Sequence, residues 1–331
     1  MQVTPPIDQI LNSETIWLST HKNADGDGLG SEVAFYFALK TLGRKVQIIH
    51  NDSAPKRYRF LTEKIDILSV DHVNEFKMSD QDILVVFDTH DPLLCAPLFG
   101  IMQEKKIRVL FIDHHIPIKQ NLNLVDYLID ESASCTGEIV FDLIKKLSVA
   151  INSQIATPLY ASLIFDTQNF KFIRGSSRPF AMATELLNAG ADHHTIQQNL
   201  FNNWTIQKMN YLAHLIKNVE YKDDQKIALI KIDQNSLALH QLEADDVSDL
   251  IDLFMGIQSL DVAIVIREEG KNYYKLSFRS RTYEVLSWAR SFNGGGHLFS
   301  AGAWVREPRE MIEQKIENLI LQRPILKASS Q

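Results

Sequence analysis

Residues 16–28 read Ile-Trp-Leu-Ser-Thr-His-Lys-Asn-Ala-Asp-Gly-Asp-Gly. Five residues of buried-strand character run into a loop that carries His21, Asp25 and Asp27, and a helical pattern begins at Leu29. Over 29–42, Val33, Phe37, Ala38 and Leu42 fall roughly on one helical face, and Gly43 stands where a C-terminal cap belongs. The next apolar run is 46–50, so the unit is strand, loop, helix, strand, spaced for a crossover connection. Runs at 83–87 and 109–112 repeat the strand signal. Together they predict an α/β fold, a mostly parallel sheet with helices on both faces, whose ligand crevice lies beyond the carboxyl ends of the strands.

The residues that carry chemistry fall at those ends. Asp88 follows the run 83–87, Asp113-His114-His115 follow 109–112, and Asp166 closes a helix expected over 156–165 with Leu159, Leu163 and Ile164 turned inward. A lone Asp after a strand is commonly a helix cap. Four separate segments that each deliver carboxylate or imidazole are better explained as one ligand cluster. Hard oxygens and neutral imidazoles are what Mn²⁺, Mg²⁺ or related divalent ions take up. Two metals fit the set better than one. Gly26 and Gly28 are expected to relieve crowding so that neighbouring carboxylates can turn inward.

The 331 residues are 45% hydrophobic, enough for a full core and two domains. No apolar run approaches the roughly 20 residues of a membrane span, and the opening Met-Gln-Val-Thr-Pro-Pro has no export signal, so a cytoplasmic protein is expected. Cys95 and Cys135 lack CxxC spacing and read as reduced thiols. A net charge of −7 disfavours broad capture of long duplex nucleic acid. Short or single-nucleotide anions are compatible with it, because bound cations reverse the local field.

Helices are expected at 136–147, at 180–189 closed by Gly190, and at 205–219, the last joining two halves. From about Tyr221 the pattern becomes hairpin-like, with strands at 227–232, 262–266, 274–279 and 303–305. The expected organisation is a metal-binding domain over 1–190, a helical linker over 191–220 and a smaller α/β domain over 221–331, with 327–331 frayed. His193-His194, the basic group Lys56, Arg57 and Arg59, and the acidic stretch 243–249 read as solvated surface.

In these motifs the chain resembles the DHH phosphoesterases, in the subgroup with a C-terminal DHHA1 domain typified by bacterial nanoRNases that also hydrolyse 3′-phosphoadenosine 5′-phosphate. His21-Lys22-Asn23-Ala24-Asp25-Gly26-Asp27 is similar to the first motif, Asp88 to the second, Asp113-His114-His115 to the third and Asp166-Thr167 to the fourth. Arg279-Ser280 and Gly294-Gly295-Gly296-His297, followed by Ala301-Gly302, resemble the substrate-binding signature, with Asn293 where the family commonly has a first glycine. The resemblance implies that the domain over 1–190 is catalytic and that the domain over 221–331 binds substrate. It implies that His21, Asp25 and Asp88 hold one metal and that Asp27, Asp88, His114 and Asp166 hold the other. It implies that Asp113 orients a histidine and that His115 faces substrate phosphate. The ions would be Mn²⁺, with Mg²⁺ or Co²⁺ as alternatives, about 4 Å apart around a shared water. The implied activity is release of nucleoside monophosphates from very short RNA or DNA oligonucleotides, with removal of the 3′-phosphate from 3′-phosphoadenosine 5′-phosphate, in a homodimer. Alternatives are a linear or cyclic dinucleotide phosphodiesterase and a non-catalytic nucleotide sensor.

Overall fold

The computed structural model describes residues 7–117 and 122–322; the expected frayed end at 327–331 lies outside them. It divides into compact units of residues 1–203 and 204–331. Among the described residues no helix is long and apolar enough to cross a membrane.

The first unit is built on six strands, β1 Ile16–Thr20, β2 Val46–His50, β3 Ile67–Ser69, β4 Ile83–Phe87, β5 Arg108–Asp113 and β6 Val125–Ile129, all parallel in the order β3-β2-β1-β4-β5-β6. Alternate residues serve opposite layers. Ile16, Leu18, Val85, Phe87, Leu110 and Ile112 pack under the helices Gly26–Thr41, Thr136–Lys146 and Ser153–Asp166. Trp17, Leu84, Val86, Val109 and Phe111 pack against Cys95, Leu98 and Met102 on the other side. Burial on both faces is why these strands read as unbroken apolar runs.

The helix Gly26–Thr41 corrects the one-faced reading. It starts three residues earlier than its apolar pattern, its first ten residues are all buried, and Leu42 is exposed. Its first ten residues are enclosed by sheet and neighbouring helices on all sides, so even the polar Asp27, Ser31 and Glu32 are buried, the first two hydrogen-bonded to each other and Glu32 to His50. Gly26 and Gly28 lie in its first turn, where close approach requires them: a Cβ on Gly28 would stand 2.2 Å from Thr20 Oγ1. Gly43, at φ +69°, closes the helix as expected. Gly30 crosses the helix Ser153–Asp166 so closely that a Cβ would lie 2.4 Å from the Pro158 carbonyl oxygen. Gly30→Ala is therefore expected to destabilise the protein by roughly 1–3 kcal/mol, read as a lower midpoint in guanidinium unfolding. An unchanged midpoint would contradict this packing.

The second unit holds a mixed sheet in the order β11-β12-β10-β9-β8-β7. Its strands are β7 Glu220–Lys222, β8 Ile227–Ile232, β9 Val262–Gly270, β10 Tyr273–Ser280, β11 Gly295–His297 and β12 Ser300–Val305. The hairpin-like reading holds for β9, β10 and β12, while β11 is a strand where a glycine-rich loop was expected; β8 and β9 pair in parallel, because helices Gln234–Leu239 and Leu250–Phe254 carry the chain back between them. Helices Leu286–Arg290 and Arg309–Gln322 cover one face through Trp288, Ile312 and Ile316.

No separate linker body spans 191–220. Helix His193–Leu200 packs into the first core through Ile196, and helix Ile206–Asn218 buries Tyr211 and Leu215 in the second. Lys208 Nζ, 2.6 and 2.8 Å from the Asp249 carboxylate, fastens that helix to the stretch 243–249, so Asp249 is an ion-pair partner and not simply solvated.

Candidate metal centre and substrate hairpin

The sheet order places the site. The strand succession reverses between β1 and β4, and at such a point the carboxyl ends of a parallel sheet open a crevice. Register aligns Thr20 with Phe87 and Phe87 with Ile112. The strands therefore deliver His21, Asp88 and Asp113 side by side, with Asp88 in the middle. Asp88 takes φ +63°, a left-handed conformation that turns the chain sharply as the strand ends.

The helix Gly26–Thr41 brings the next two carboxylates. Asp25 is its N-cap and accepts from the backbone N–H of Asp27 and Gly28, so the capping role and a ligand role coincide in one residue. Asp27 is 1% exposed and accepts from Ser162 Oγ at 2.6 Å, Thr136 N at 2.8 Å, Gly137 N at 3.2 Å and Ser31 Oγ at 3.3 Å. Thr136 Oγ1 donates to Asp88 Oδ1 at 3.0 Å. Asp166, the last residue of the helix Ser153–Asp166, closes the group.

All six residues expected as metal ligands converge. His21 Nε2 lies 3.9 Å from Asp25 Oδ1 and 3.5 Å from Asp88 Oδ2. His114 Nε2 faces Asp27, Asp88 and Asp166 oxygens at 3.6, 3.7 and 3.4 Å. These separations exceed ordinary hydrogen bonds and suit donors set around a common ion. Two triads, His21–Asp25–Asp88 and Asp27–Asp88–His114, each bring one donor atom per residue within 4.8 Å of the others, and Asp88 belongs to both. His114 Nδ1 is 3.3 Å from the Ala133 carbonyl oxygen. Arg174 Nη2 also lies 3.3 Å from it, but a nitrogen that donates to Ala133 cannot accept from arginine. The donating tautomer leaves Nε2 as the acceptor among the carboxylates.

Electrostatics test the fit. Burial first, then the charges of Asp27 and Asp25, push Asp88 and Asp166 well above the usual carboxylate range. Burial pushes Asp27 up to about 6, with Asp25 adding to the rise against hydrogen bonds from Ser162 and Thr136. Burial opposes ionisation of Asp25 too, but the hydrogen bond and charge of His21 and two backbone N–H groups hold it down at about 2. Burial, with the neighbouring His115 and Arg174, lowers His114 to about 3, so its imidazole is neutral. Crowded, buried carboxylates beside a neutral imidazole are a site that divalent cations relieve.

Asp113 is held differently. Its Oδ2 accepts from His90 Nδ1, while Oδ1 accepts from His115 Nδ1 at 2.7 Å and from the backbone N–H of His114 at 2.7 Å and of His115 at 3.2 Å. Burial opposes the charge, but the hydrogen bonds from His115 and His90 lower its pKa below the ordinary range. His90 and Arg174 were not picked out in the sequence. Neither has ligand spacing; the signal for His90 was its place two residues beyond Asp88, on the loop beside β5. His90→Ala is expected to lower turnover about 10- to 100-fold, the usual effect of losing a group that orients a site residue. The metal-induced rise in Tm should persist, and a full-rate variant would remove His90 from the site.

Arg57 differs from its solvated reading. Its guanidinium lies over the rings of Tyr58 at 4.7 Å and Phe165 at 5.9 Å. His193, although exposed, has Nδ1 3.1 Å from Tyr160 Oη. Cys95 and Cys135 are buried free thiols.

In the second unit, Arg279 on β10 and His297 on β11 both pair with Ser300 on β12, from opposite sides. Arg279 Nε donates to Asp252 Oδ1 at 3.0 Å, which aims the guanidinium. Ser280 Oγ accepts from Tyr283 N at 2.8 Å and from Thr282 N at 3.2 Å. The glycines are less of an open cradle than expected. Gly294 N donates to the Ala289 carbonyl, and Gly295–His297 forms an edge strand against β12. A Cβ at Gly294 would lie 2.1 Å from the Gly302 carbonyl oxygen, and Gly296 adopts φ +131°. Asn293 occupies the left-handed region at φ +58°, which asparagine tolerates better than most residues.

Residues 15–163 match the DHH family, N-terminal domain, and residues 226–321 match the DHHA1 domain. The chain is 28% identical over 309 residues to the bifunctional oligoribonuclease and PAP phosphatase NrnA of Thermus thermophilus, covering 88% of this chain and 84% of that protein. It is 25% identical over 319 residues to the protein of the same name in Mycoplasma pneumoniae, covering 94% and 93%. Its fold is similar to the crystal structure of an exopolyphosphatase-related protein from Bacteroides fragilis, with a TM-score of 0.85, 22% identity and coverage of 96% and 97%.

Proposed function

We propose, from the premise that this chain belongs to the DHH family of phosphoesterases and carries a DHHA1 second domain, that it hydrolyses very short oligonucleotides to nucleoside monophosphates and converts 3′-phosphoadenosine 5′-phosphate to AMP. The observation that carries this reading is the pair of ligand triads sharing Asp88 at the reversal of the sheet. Relatives named for both activities, aligned over most of their length, support the substrate class.

In this reading His21, Asp25 and Asp88 hold one divalent cation, and Asp27, Asp88, His114 and Asp166 hold a second, with Mn²⁺ the expected ion. Bound there, the cations would acidify water and offset charge on phosphoryl oxygens. The protein's own groups do the rest. Ser162, Thr136 and the N–H of Gly137 fix Asp27, so its carboxylate is already aimed before substrate arrives. Asp113 Oδ1 accepts a hydrogen bond from His115 Nδ1 and so orients the His115 ring toward the substrate phosphate. Arg279, aimed by Asp252, gives its remaining guanidinium N–H groups to phosphate, and His297 with the glycine edge strand contacts the nucleotide. A homodimer is part of the proposal.

A substrate panel tests it. Purified protein with Mn²⁺ is expected to turn over di- to pentanucleotides and 3′-phosphoadenosine 5′-phosphate faster than cyclic dinucleotides or pyrophosphate. Preference for a cyclic dinucleotide would replace this reading by a cyclic phosphodiesterase. Tight nucleotide binding without turnover under Mn²⁺, Mg²⁺ and Co²⁺ would make the chain a sensor.

A further inference from the structure

Asp166 ends its helix, and the chain that follows turns through an unusual conformation. Gln168, Asn169 and Phe170 take φ +47°, +57° and +65° in succession, and Arg174 takes +46° before Gly175 at +68°. Residues other than glycine enter the left-handed region singly as a rule, and such strain persists where the surroundings over-determine it, above all at functional sites. The surroundings here do so. Thr167, wholly buried, donates its hydroxyl to the Leu163 carbonyl at 2.6 Å and accepts from Phe170 N at 3.1 Å. Asn169 N donates to the Ile164 carbonyl and Phe172 N to the Thr167 carbonyl, each at 3.0 Å. Gln197 Nε2 donates to Asn169 Oδ1 at 2.8 Å.

Both ends of this loop are fastened to the candidate metal centre. It starts at the residue after Asp166, and further along Arg174 Nη1 donates to the His114 carbonyl at 3.3 Å and to the Glu131 carbonyl. The segment 167–174 therefore runs along the rim from one candidate ligand to another. Two phenyl rings lie on it, in different states. Phe170 stacks on Phe180, with ring centres 4.7 Å apart and 16° between the planes, and packs against the first core. Phe172 is 60% exposed. A surface loop needs neither a strained backbone nor a large apolar ring. Beside a site built for phosphate, a ring held in place by such a backbone suits the flat face of a nucleobase, which stacks on an aromatic side chain whatever its sequence.

We propose that Phe172 is the stacking platform for the base of the nucleotide whose phosphate lies at the metal centre, on a loop that Arg174 and the left-handed turn hold at the rim. The proposal deepens the phosphoesterase reading of that centre and rests on it. Stacking accepts any base but requires one, so the first domain by itself selects nucleotides over sugar phosphates and pyrophosphate.

The test is isothermal titration calorimetry of the full chain with Mn²⁺, comparing AMP with ribose 5-phosphate, which has the same phosphate and sugar and no base. Phe172→Ala is expected to lower the preference for AMP about tenfold. Phe172→Tyr, which keeps the ring face, should retain it, and Phe172→Leu, which keeps apolar bulk alone, should fall between. The melting temperature should hold, because the ring is exposed. With a diadenylate substrate, Phe172→Ala should raise KM about tenfold and leave kcat near the wild-type value, since a base contact is alike in ground and transition states. A preference in Phe172→Ala within about twofold of wild type, or no preference for AMP in the wild type, overturns the platform. So does a drop in that variant's sedimentation coefficient with an unmoved preference, which would make Phe172 a contact between copies. Wild-type turnover of the diadenylate is scored separately. Turnover with an unmoved preference rejects the platform alone; no turnover rejects the parent reading, and the preference still judges Phe172.

Discussion

Asp88→Asn is expected to reduce dinucleotide turnover at least about a thousandfold, the scale of losing a principal electrostatic element of an active site. Asp88 is the residue common to both triads, so this change weakens both metal positions at once. Asparagine is the appropriate replacement because residue 88 lies at φ +63°, where alanine would add backbone strain to the loss of charge. The variant should keep its far-ultraviolet circular dichroism and lose kcat. Asp25→Asn is the comparison: asparagine still caps the helix Gly26–Thr41, and only one triad is altered. Its turnover should fall less, on the order of a hundredfold. Retention of more than a tenth of the wild-type rate by Asp88→Asn would refute the shared-ligand arrangement.

Stripping the metal is expected to produce the second large effect, and one that depends on pH. Without cations, the folded protein holds Asp27 at about 6 and Asp88 and Asp166 well above the ordinary carboxylate range, against about 3.9 in the unfolded chain. The folded state thus binds more protons than the unfolded one in that window, and stability falls as pH rises through it. His21, raised by Asp25 and Asp88 against the opposing effect of burial, acts in the same direction at higher pH. Stripped protein should therefore melt at higher temperature at pH 5 than at pH 7.5. Mn²⁺ should reverse the order, because it binds the deprotonated carboxylates. At about a hundred times its dissociation constant an ion adds roughly 2.7 kcal/mol. For a unit of 203 residues that is a rise in Tm of about 5–10 °C per ion at pH 7.5, and much less at pH 5. Equal Mn²⁺ shifts at the two pH values would contradict the electrostatics described for the centre.

The parts that were legible in the sequence were those buried on both sides or repeated in type. β1, β2 and β4 lie on the apolar runs that announced them, because a parallel sheet between two helical layers leaves no alternation to confuse the reading. The six candidate ligand residues could be picked out because His21, Asp88 and His114 closely follow apolar runs, Asp25 and Asp27 share one short loop-like stretch, and Asp166 closes a helix. Short edge strands were not legible: β3 has three residues, and β6 is half-buried along its length. The start of the helix at Gly26 was hidden because Gly-Asp-Gly looks like a loop, and only the close approach to Thr20 and Phe165 explains those glycines. His90 lacks ligand spacing, and its position two residues beyond Asp88 does not by itself assign it a partner. Its role follows from the pairing of β4 with β5, which brings it to Asp113 across the sheet.

The candidate ligands are spread from position 21 to position 166, and the last arrives on a helix whose Ser162 also fixes Asp27. During translation, a nascent chain still lacking that helix has neither Asp166 nor Ser162. A growing polypeptide therefore cannot complete the candidate centre until the end of its first unit has been made, and a truncated product shorter than that lacks part of the donor set.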